Sequence, residues 1–100
     1  MIPFIDFIVE NYYYHGTSID NAKSIEQHGL NPSKSLYDGK VYMTKNYGEA
    51  SKYAKIASNG KFGVIYRVHK DHLDPKNIHN DHSGIIEYKG SIKKEHLIRS

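Results

Sequence analysis

The sequence predicts one α+β domain over residues 1–100. Short aromatic or β-branched runs, which are typical of strands, are mixed with amphipathic helical stretches. They lack the regular strand–helix–strand alternation of a parallel α/β fold. Apolar residues make up 38% and charged residues 25% of the chain, the balance of an ordinary globular domain.

The first predicted elements surround His15. An aromatic strand, residues 11–14 (NYYY), leads into His15-Gly16, and a helix follows it. The helix has a candidate cap at Thr17 or Ser18, an acid in its first turn at Asp20, an inward face of Ile19, Ala22 and Ile25, and a stop at Gly29 before Leu30. One of the three tyrosines should point into the core and its neighbour to the other face, because strand side chains alternate.

A second strand and helix follow a loop at residues 31–39. The strand is KVYMT (40–44), and Asn46 with Glu49 three residues later is a typical helix start. The helix should end at Ser58-Asn59-Gly60. Its predicted inward face consists of Tyr47, Ala50, Tyr53, Ala54 and Ala57.

The rest of the chain predicts two more strands. These are FGVIYRVH (62–69) and the run GIIEYKGSI (84–92), which turns at Lys89-Gly90. The polar residues 70–84 between them are expected to be an exposed loop, and KKEHLI (93–98) closes the domain. The apolar start MIPFIDFIVE (1–10) is expected to be a strand or short helix packed on the core.

Composition narrows the function classes. Without cysteine there can be no disulfide, thiolate nucleophile or zinc–thiolate site. No signal peptide or membrane span is evident, so a cytoplasmic protein without membrane contact is expected. Residues 1–50 carry four Lys against six acids, a balance of −2, and residues 51–100 carry ten Lys and Arg against five acids, a balance of +5. The basic half favours an anionic ligand or acidic partner, although the lysines are scattered.

The order of the motifs resembles the ADP-ribosyltransferase superfamily. His15-Gly16-Thr17, then GKVYMT (39–44), then ASKYA (50–54) is most similar to the His-Tyr-Glu branch, which includes the diphtheria toxin and poly(ADP-ribose) polymerase catalytic cores. Tyr42 and Tyr53 are eleven positions apart, as the two tyrosines of that branch are. The resemblance runs over most of residues 12–98. It implies small mixed or antiparallel sheets with two short helices around an NAD cleft.

The resemblance also implies roles for individual residues. His15 would hold a ribose hydroxyl, the backbone at Gly16 would contact the carboxamide of NAD, and Thr17 completes the motif. Tyr42 and Tyr53 would stack on the two faces of the nicotinamide. Ser51, or the backbone at Gly16, would replace a serine that polymerase relatives carry at the position of Ala50.

The catalytic residues implied are His15, Tyr42 and a glutamate on a late strand, for which Glu87 is the candidate. A carboxylate there would bind the nicotinamide ribose and stabilise the positive charge that develops when the glycosidic bond breaks. Glu95 is the rival for this position. Glu49 is better explained by helix capping. Packing alone could equally account for Tyr42 or Tyr53.

The stretch HKDHLDPKNIHNDH (69–82) holds four histidines in two His-X-Asp-His units. Histidine and aspartate can bind divalent metals, but no rigid element is evident that would hold three ligands together. A solvated loop or partner surface without a metal is therefore the preferred interpretation.

The function predicted is NAD-dependent mono-ADP-ribosyl transfer, a glycosyltransferase reaction with NAD as substrate. The acceptor would be a macromolecule, a protein first and a nucleic acid second, and the protein could act as an effector that disables a host or rival factor. One alternative is a non-catalytic binder or inhibitor with the same fold. A tRNA 2′-phosphotransferase is less favoured, since such enzymes depend on arginines and this chain has only Arg67 and Arg99.

Overall fold

A computed structural model of the chain describes residues 11–31, 41–80 and 85–100. Six strands in these residues form one antiparallel sheet in the order β4-β5-β2-β1-β3-β6. In chain order the elements are β1 (Tyr12–Thr17), α1 (Ile19–His28), β2 (Val41–Thr44), α2 (Tyr47–Ala57), β3 (Val64–His69), β4 (Ile78–Asn80), β5 (Ile85–Tyr88) and β6 (Leu97–Arg99). The predicted α+β class is confirmed, with one six-stranded sheet where small separate sheets were expected.

Helix α1 begins and ends where its capping residues predict. The Ser18 hydroxyl accepts a hydrogen bond from the Asn21 backbone N–H at 3.2 Å. Gly29 has φ +74°, a conformation that favours glycine, and its N–H donates to the Ile25 carbonyl at 2.7 Å. Ala22 and Ile25 are buried as predicted, but Ile19 is 52% exposed. Helical side chains lean toward the N-terminus. The side chain of Ile19, the first residue of α1, therefore extends beyond the residues that contact the sheet.

Helix α2 contacts the sheet through a narrow strip. The Asn46 side chain accepts a hydrogen bond from the Glu49 N–H at 3.1 Å, as the capping pattern predicts. Ala50 and Ala54 are buried, whereas Tyr47, Tyr53 and Ala57 are exposed, so the predicted inward face was too wide. Alanines bring the helix backbone close to β1 and β3, and Tyr47 lies at the border of this contact, where its ring packs edge-on against the buried Tyr14 ring at 5.6 Å.

The core lies on both faces of the sheet. One cluster joins α1 to side chains of β2, β3 and β5, among them Met43 and Val68. A smaller cluster joins α2 to Tyr14 and Ile65. Tyr13 packs on the first cluster and Tyr14 belongs to the second, which is the alternation expected of the aromatic strand.

The stretch predicted as an exposed loop over 70–84 is exposed at most of residues 70–79, but residues 70–80 contain regular structure. Two short 3₁₀ turns, Lys70–His72 and Pro75–Asn77, lead into strand β4. Leu73 is buried in the core, and the Asp74 backbone N–H donates to the Tyr88 hydroxyl at 2.9 Å. Leu73, the partly buried Ile78 and backbone hydrogen bonds thus anchor a polar stretch.

Three segments lie outside the described residues: 1–10, 32–40 and 81–84. They include the N-terminal element expected at 1–10, most of the loop expected at 31–39 and the end of the histidine-rich stretch. Within the described ranges, no helix is long and apolar enough to cross a bilayer.

Candidate functional site

A cavity of about 340 Å³ opens beside strands β1 and β2. Strand β1 pairs with β3 along its whole length, but its register with β2 is the single pair Tyr14–Thr44. The space beside this short pairing forms the cavity. Its lining residues are Tyr14, His15, Gly16, Tyr42, Met43, Tyr53 and Ile85. Its size is at the lower end for small-molecule sites and its wall is mostly apolar, as in such sites generally.

His15 connects the two strands at this point. Its Nδ1 atom is 2.8 Å from the Tyr42 carbonyl oxygen, so the imidazole joins β1 to β2 beyond the Tyr14–Thr44 pair. Nδ1 must carry the proton because a carbonyl only accepts, and this leaves Nε2 of the neutral ring as an acceptor. Burial lowers the pKa of His15, and the opposing effect of the hydrogen bond to Tyr42 is smaller. The ring is therefore neutral at neutral pH.

The lowered pKa predicts a pH-dependent contribution of His15 to stability. As pH falls, the unfolded chain binds the proton before the folded protein does. The contribution is therefore present above about pH 6.5 and is lost as pH falls through the lower pKa of His15 in the folded protein. Between about pH 7 and 5, the free energy of unfolding should fall further in the wild type than in His15→Asn, whose amide can keep the hydrogen bond to Tyr42. Urea unfolding at several pH values measures the free energy of unfolding of the wild type and of His15→Asn. The same pH dependence in both proteins would contradict the assignment.

Tyr42 and Tyr53 reach the cavity from different elements. Tyr42 is the second residue of β2 and is 36% exposed, and Tyr53 lies in α2 and is 37% exposed. A core tyrosine such as Tyr14 is only 6% exposed. Unlike Tyr14, which also lines the cavity, Tyr42 and Tyr53 thus retain surface on which a ligand could pack.

Gly16 is explained by helix packing. A Cβ atom there would lie 2.1 Å from the Ala50 carbonyl oxygen and 2.8 Å from the Ala54 nitrogen. Only glycine allows α2 to approach β1 this closely. The same contact places Tyr53, one position before Ala54, at the cavity.

Glu87 lies beside the cavity residues without lining the cavity itself. In the sheet it is the direct partner of Tyr42 on β2 and of His79 on β4. Residues paired in this way share one face of a sheet, with Cβ atoms about 4.5–5.5 Å apart. Glu87 is half-buried and next to one wall of the cavity.

The other predicted site residues lie elsewhere. Thr17 is buried at the end of β1 and Ser51 is exposed on α2, and neither lines the cavity. Asn46 caps the Glu49 N–H as predicted, but the Glu49 carboxylate lies 3.4 Å from the Lys52 ammonium group, and the Asn46 N–H donates to the Thr44 hydroxyl instead. Glu95 is exposed in the 3₁₀ turn Lys94–His96.

Several cavity residues were not predicted from the sequence. Tyr14, Met43 and Ile85 complete the wall, and His79 is the unanticipated neighbour of Glu87. The only available signal for Ile85 is its position two residues before Glu87, which places both on one face of a strand.

Three of the described histidines, His69, His72 and His96, form ring contacts. The rings of His72 and His96 stack with their centroids 3.9 Å apart, and His69 packs edge-on against Tyr12 at 5.2 Å. In the part of the chain that the structure describes, no group of three His, Cys, Asp or Glu side chains is placed to hold a metal ion.

Comparison of the chain with protein-family models gives no match, and comparison with the sequences of curated proteins also gives none. The case for a function therefore depends on the cavity and its residues.

Proposed function

We propose that the cavity binds the nicotinamide end of NAD and that the protein is a mono-ADP-ribosyltransferase with an ADP-ribosyltransferase-like fold. One observation carries the proposal: His15-Gly16, Tyr42 and Tyr53, which belong to three different elements of the chain, line the same mostly apolar cavity. Four of the residues that the family resemblance implies for NAD thus occupy one site.

The chemistry of the wall suits a nicotinamide ring. The ring of NAD is flat and cationic, and aromatic faces attract such cations. A neutral His15 adds no like charge to the site, and its Nε2 can accept a hydrogen bond from a ribose hydroxyl. The volume suits the nicotinamide and its ribose, with the rest of the dinucleotide outside the cavity.

In the proposed reaction, the bond between the anomeric carbon and the nicotinamide nitrogen breaks, and its electron pair leaves with neutral nicotinamide. Positive charge then develops on the ribose, and the Glu87 carboxylate next to Tyr42 stabilises it. A nucleophilic atom of the acceptor forms the new bond to that carbon and loses its proton. NAD is consumed as a substrate.

Replacement of Tyr53 tests the binding half of the proposal. We expect Tyr53→Ala to weaken NAD binding by about 1–2 kcal/mol, or roughly 5- to 30-fold, because one stacking face is lost. Tyr53→Phe keeps that face and should bind within about threefold of the wild type. Calorimetric titration with NAD measures both. An unchanged affinity in Tyr53→Ala would assign this residue to structure alone.

A specific observation favours a second candidate, a non-catalytic binder. Glu87 is adjacent to the cavity wall but does not line it, and a protein that only binds a nucleotide would not need this carboxylate in the cavity. Such a protein would bind NAD without releasing nicotinamide. A phosphotransferase is less supported, because the Arg67 guanidinium lies over the Tyr12 ring and Arg99 is 3.5 Å from Glu26.

A further inference from the structure

An exposed surface beside the cavity contains three large apolar side chains. Ile56 is 72% exposed on α2, one turn beyond Tyr53, and Phe62 is 93% exposed just after the helix. The intervening turn folds back on α2, since the Gly60 N–H donates to the Lys55 carbonyl at 2.8 Å. Single exposed apolar residues are normal in proteins, but neighbouring ones mark interaction sites. We call the surface formed by these residues and three lysines the α2 surface. Its members are Lys52, Tyr53, Lys55, Ile56, Lys61 and Phe62.

The α2 surface is also basic. Lys52, Lys55 and Lys61 are also exposed on the helix and on the turn that follows it. The only acid between residues 47 and 63 is Glu49, which already contacts Lys52. A partner that approaches α2 and the following turn therefore meets exposed apolar side chains together with positive charge.

We infer that the α2 surface docks an acidic protein segment that carries apolar side chains. Charge complementarity requires acidic residues, and Ile56 and Phe62 require apolar ones. Single-stranded nucleic acids are bound mainly by aromatic rings that stack on bases, and the aliphatic Ile56 cannot do this. Tyr53 belongs to both the surface and the cavity wall, so a docked segment lies next to the cavity. A docked segment could also be the acceptor of ADP-ribose, and that role rests on the proposed function. The binding of the segment does not depend on the proposed function.

Selection from a random displayed-peptide library against the purified protein tests the inference. We expect the enriched peptides to carry net negative charge together with Leu, Phe or Trp. Ile56→Ala and Phe62→Ala should each weaken their binding at least about tenfold, as apolar anchors of interfaces do. Lys55→Glu with Lys61→Glu should weaken it by a similar factor, most strongly at low salt.

Matched substitutions elsewhere serve as controls. Ile98→Ala replaces an isoleucine that is 44% exposed on β6, and Lys76→Glu reverses an exposed lysine in a 3₁₀ turn. Both should bind the selected peptides like the wild type. Melting temperatures show that the variants remain folded, which is expected because Ile56 and Phe62 are mostly in solvent.

Several results would overturn the inference. They are enrichment of neutral or basic peptides, equal peptide binding by the Ile56 and Phe62 variants, and tighter binding of a thymidine oligonucleotide or anionic lipid vesicles at this surface. NAD titration of the same proteins separates the two proposals, because Ile56 and Phe62 do not line the cavity. If the wild type does not bind NAD, the proposed function is refuted and the peptide result is unaffected.

Discussion

Glu87→Gln is expected to lower the release of nicotinamide from NAD at least about 100-fold while NAD affinity stays within a few-fold of the wild type. Glutamine keeps the shape and hydrogen-bonding capacity of glutamate but lacks the negative charge. That charge matters most when the ribose becomes cationic, so the effect should appear in the rate. Single-turnover assays with labelled NAD give the rate, and calorimetry gives the affinity.

Glu95→Gln is the matched control. Glu95 is the rival acid in sequence, but it is exposed in a 3₁₀ turn and absent from the cavity wall. Its replacement should leave both rate and affinity unchanged. Equal rates in the wild type and Glu87→Gln would refute the catalytic role of Glu87, and loss of activity only in Glu95→Gln would transfer the role to Glu95. NAD binding with no nicotinamide release by any of the three proteins would favour the non-catalytic binder.

Local signals in the sequence predicted where the helices begin and end. Ser18 and Asn46 cap helices because their side chains reach backbone N–H groups only three residues away. Gly29 ends α1 because its own backbone conformation suits few other residues. These interactions need no information from distant parts of the chain, and the structure confirms each of them.

The width of each buried helix face could not be predicted in the same way. Helical spacing assigned Tyr47 and Tyr53 to the same face as Ala50, yet both tyrosines are exposed. How much of a helix is covered depends on how closely it approaches the sheet. Gly16, on a strand distant in sequence from α2, sets that distance together with Gly63, which directly precedes β3.

The cavity residues also include some that the sequence predicts and some that it does not. The motif residues His15, Tyr42 and Tyr53 could be named because their order and spacing resemble the ADP-ribosyltransferase superfamily. Met43 and Ile85 could not, because they reach the wall only when β5 pairs with β2 and β2 lies beside β1. Strand order is a property of the assembled sheet, and one sequence alone does not specify it.

Gly16→Ala is expected to destabilise the protein by about 3 kcal/mol or more, at the upper end of the cost of overpacking a core. The new methyl group would lie 2.1 Å from the Ala50 carbonyl oxygen, and backbone atoms cannot rotate away as a flexible side chain can. Gly16 does not have a positive φ, so steric contact alone accounts for the loss. Urea unfolding measures the change in the free energy of unfolding.

Gly48→Ala separates this contact from the general effect of replacing a glycine. A Cβ at Gly48 would meet only the Asn46 side-chain oxygen, at 3.0 Å, and alanine is the better helix former, so stability should stay within about 1 kcal/mol of the wild type. A folded Gly16→Ala protein could relieve the clash only by moving α2 away from β1, which would also displace Tyr53. Weaker NAD binding should therefore accompany the lost stability. If both variants unfold at the urea concentration of the wild type, the close contact between α2 and β1 does not hold the cavity wall in place.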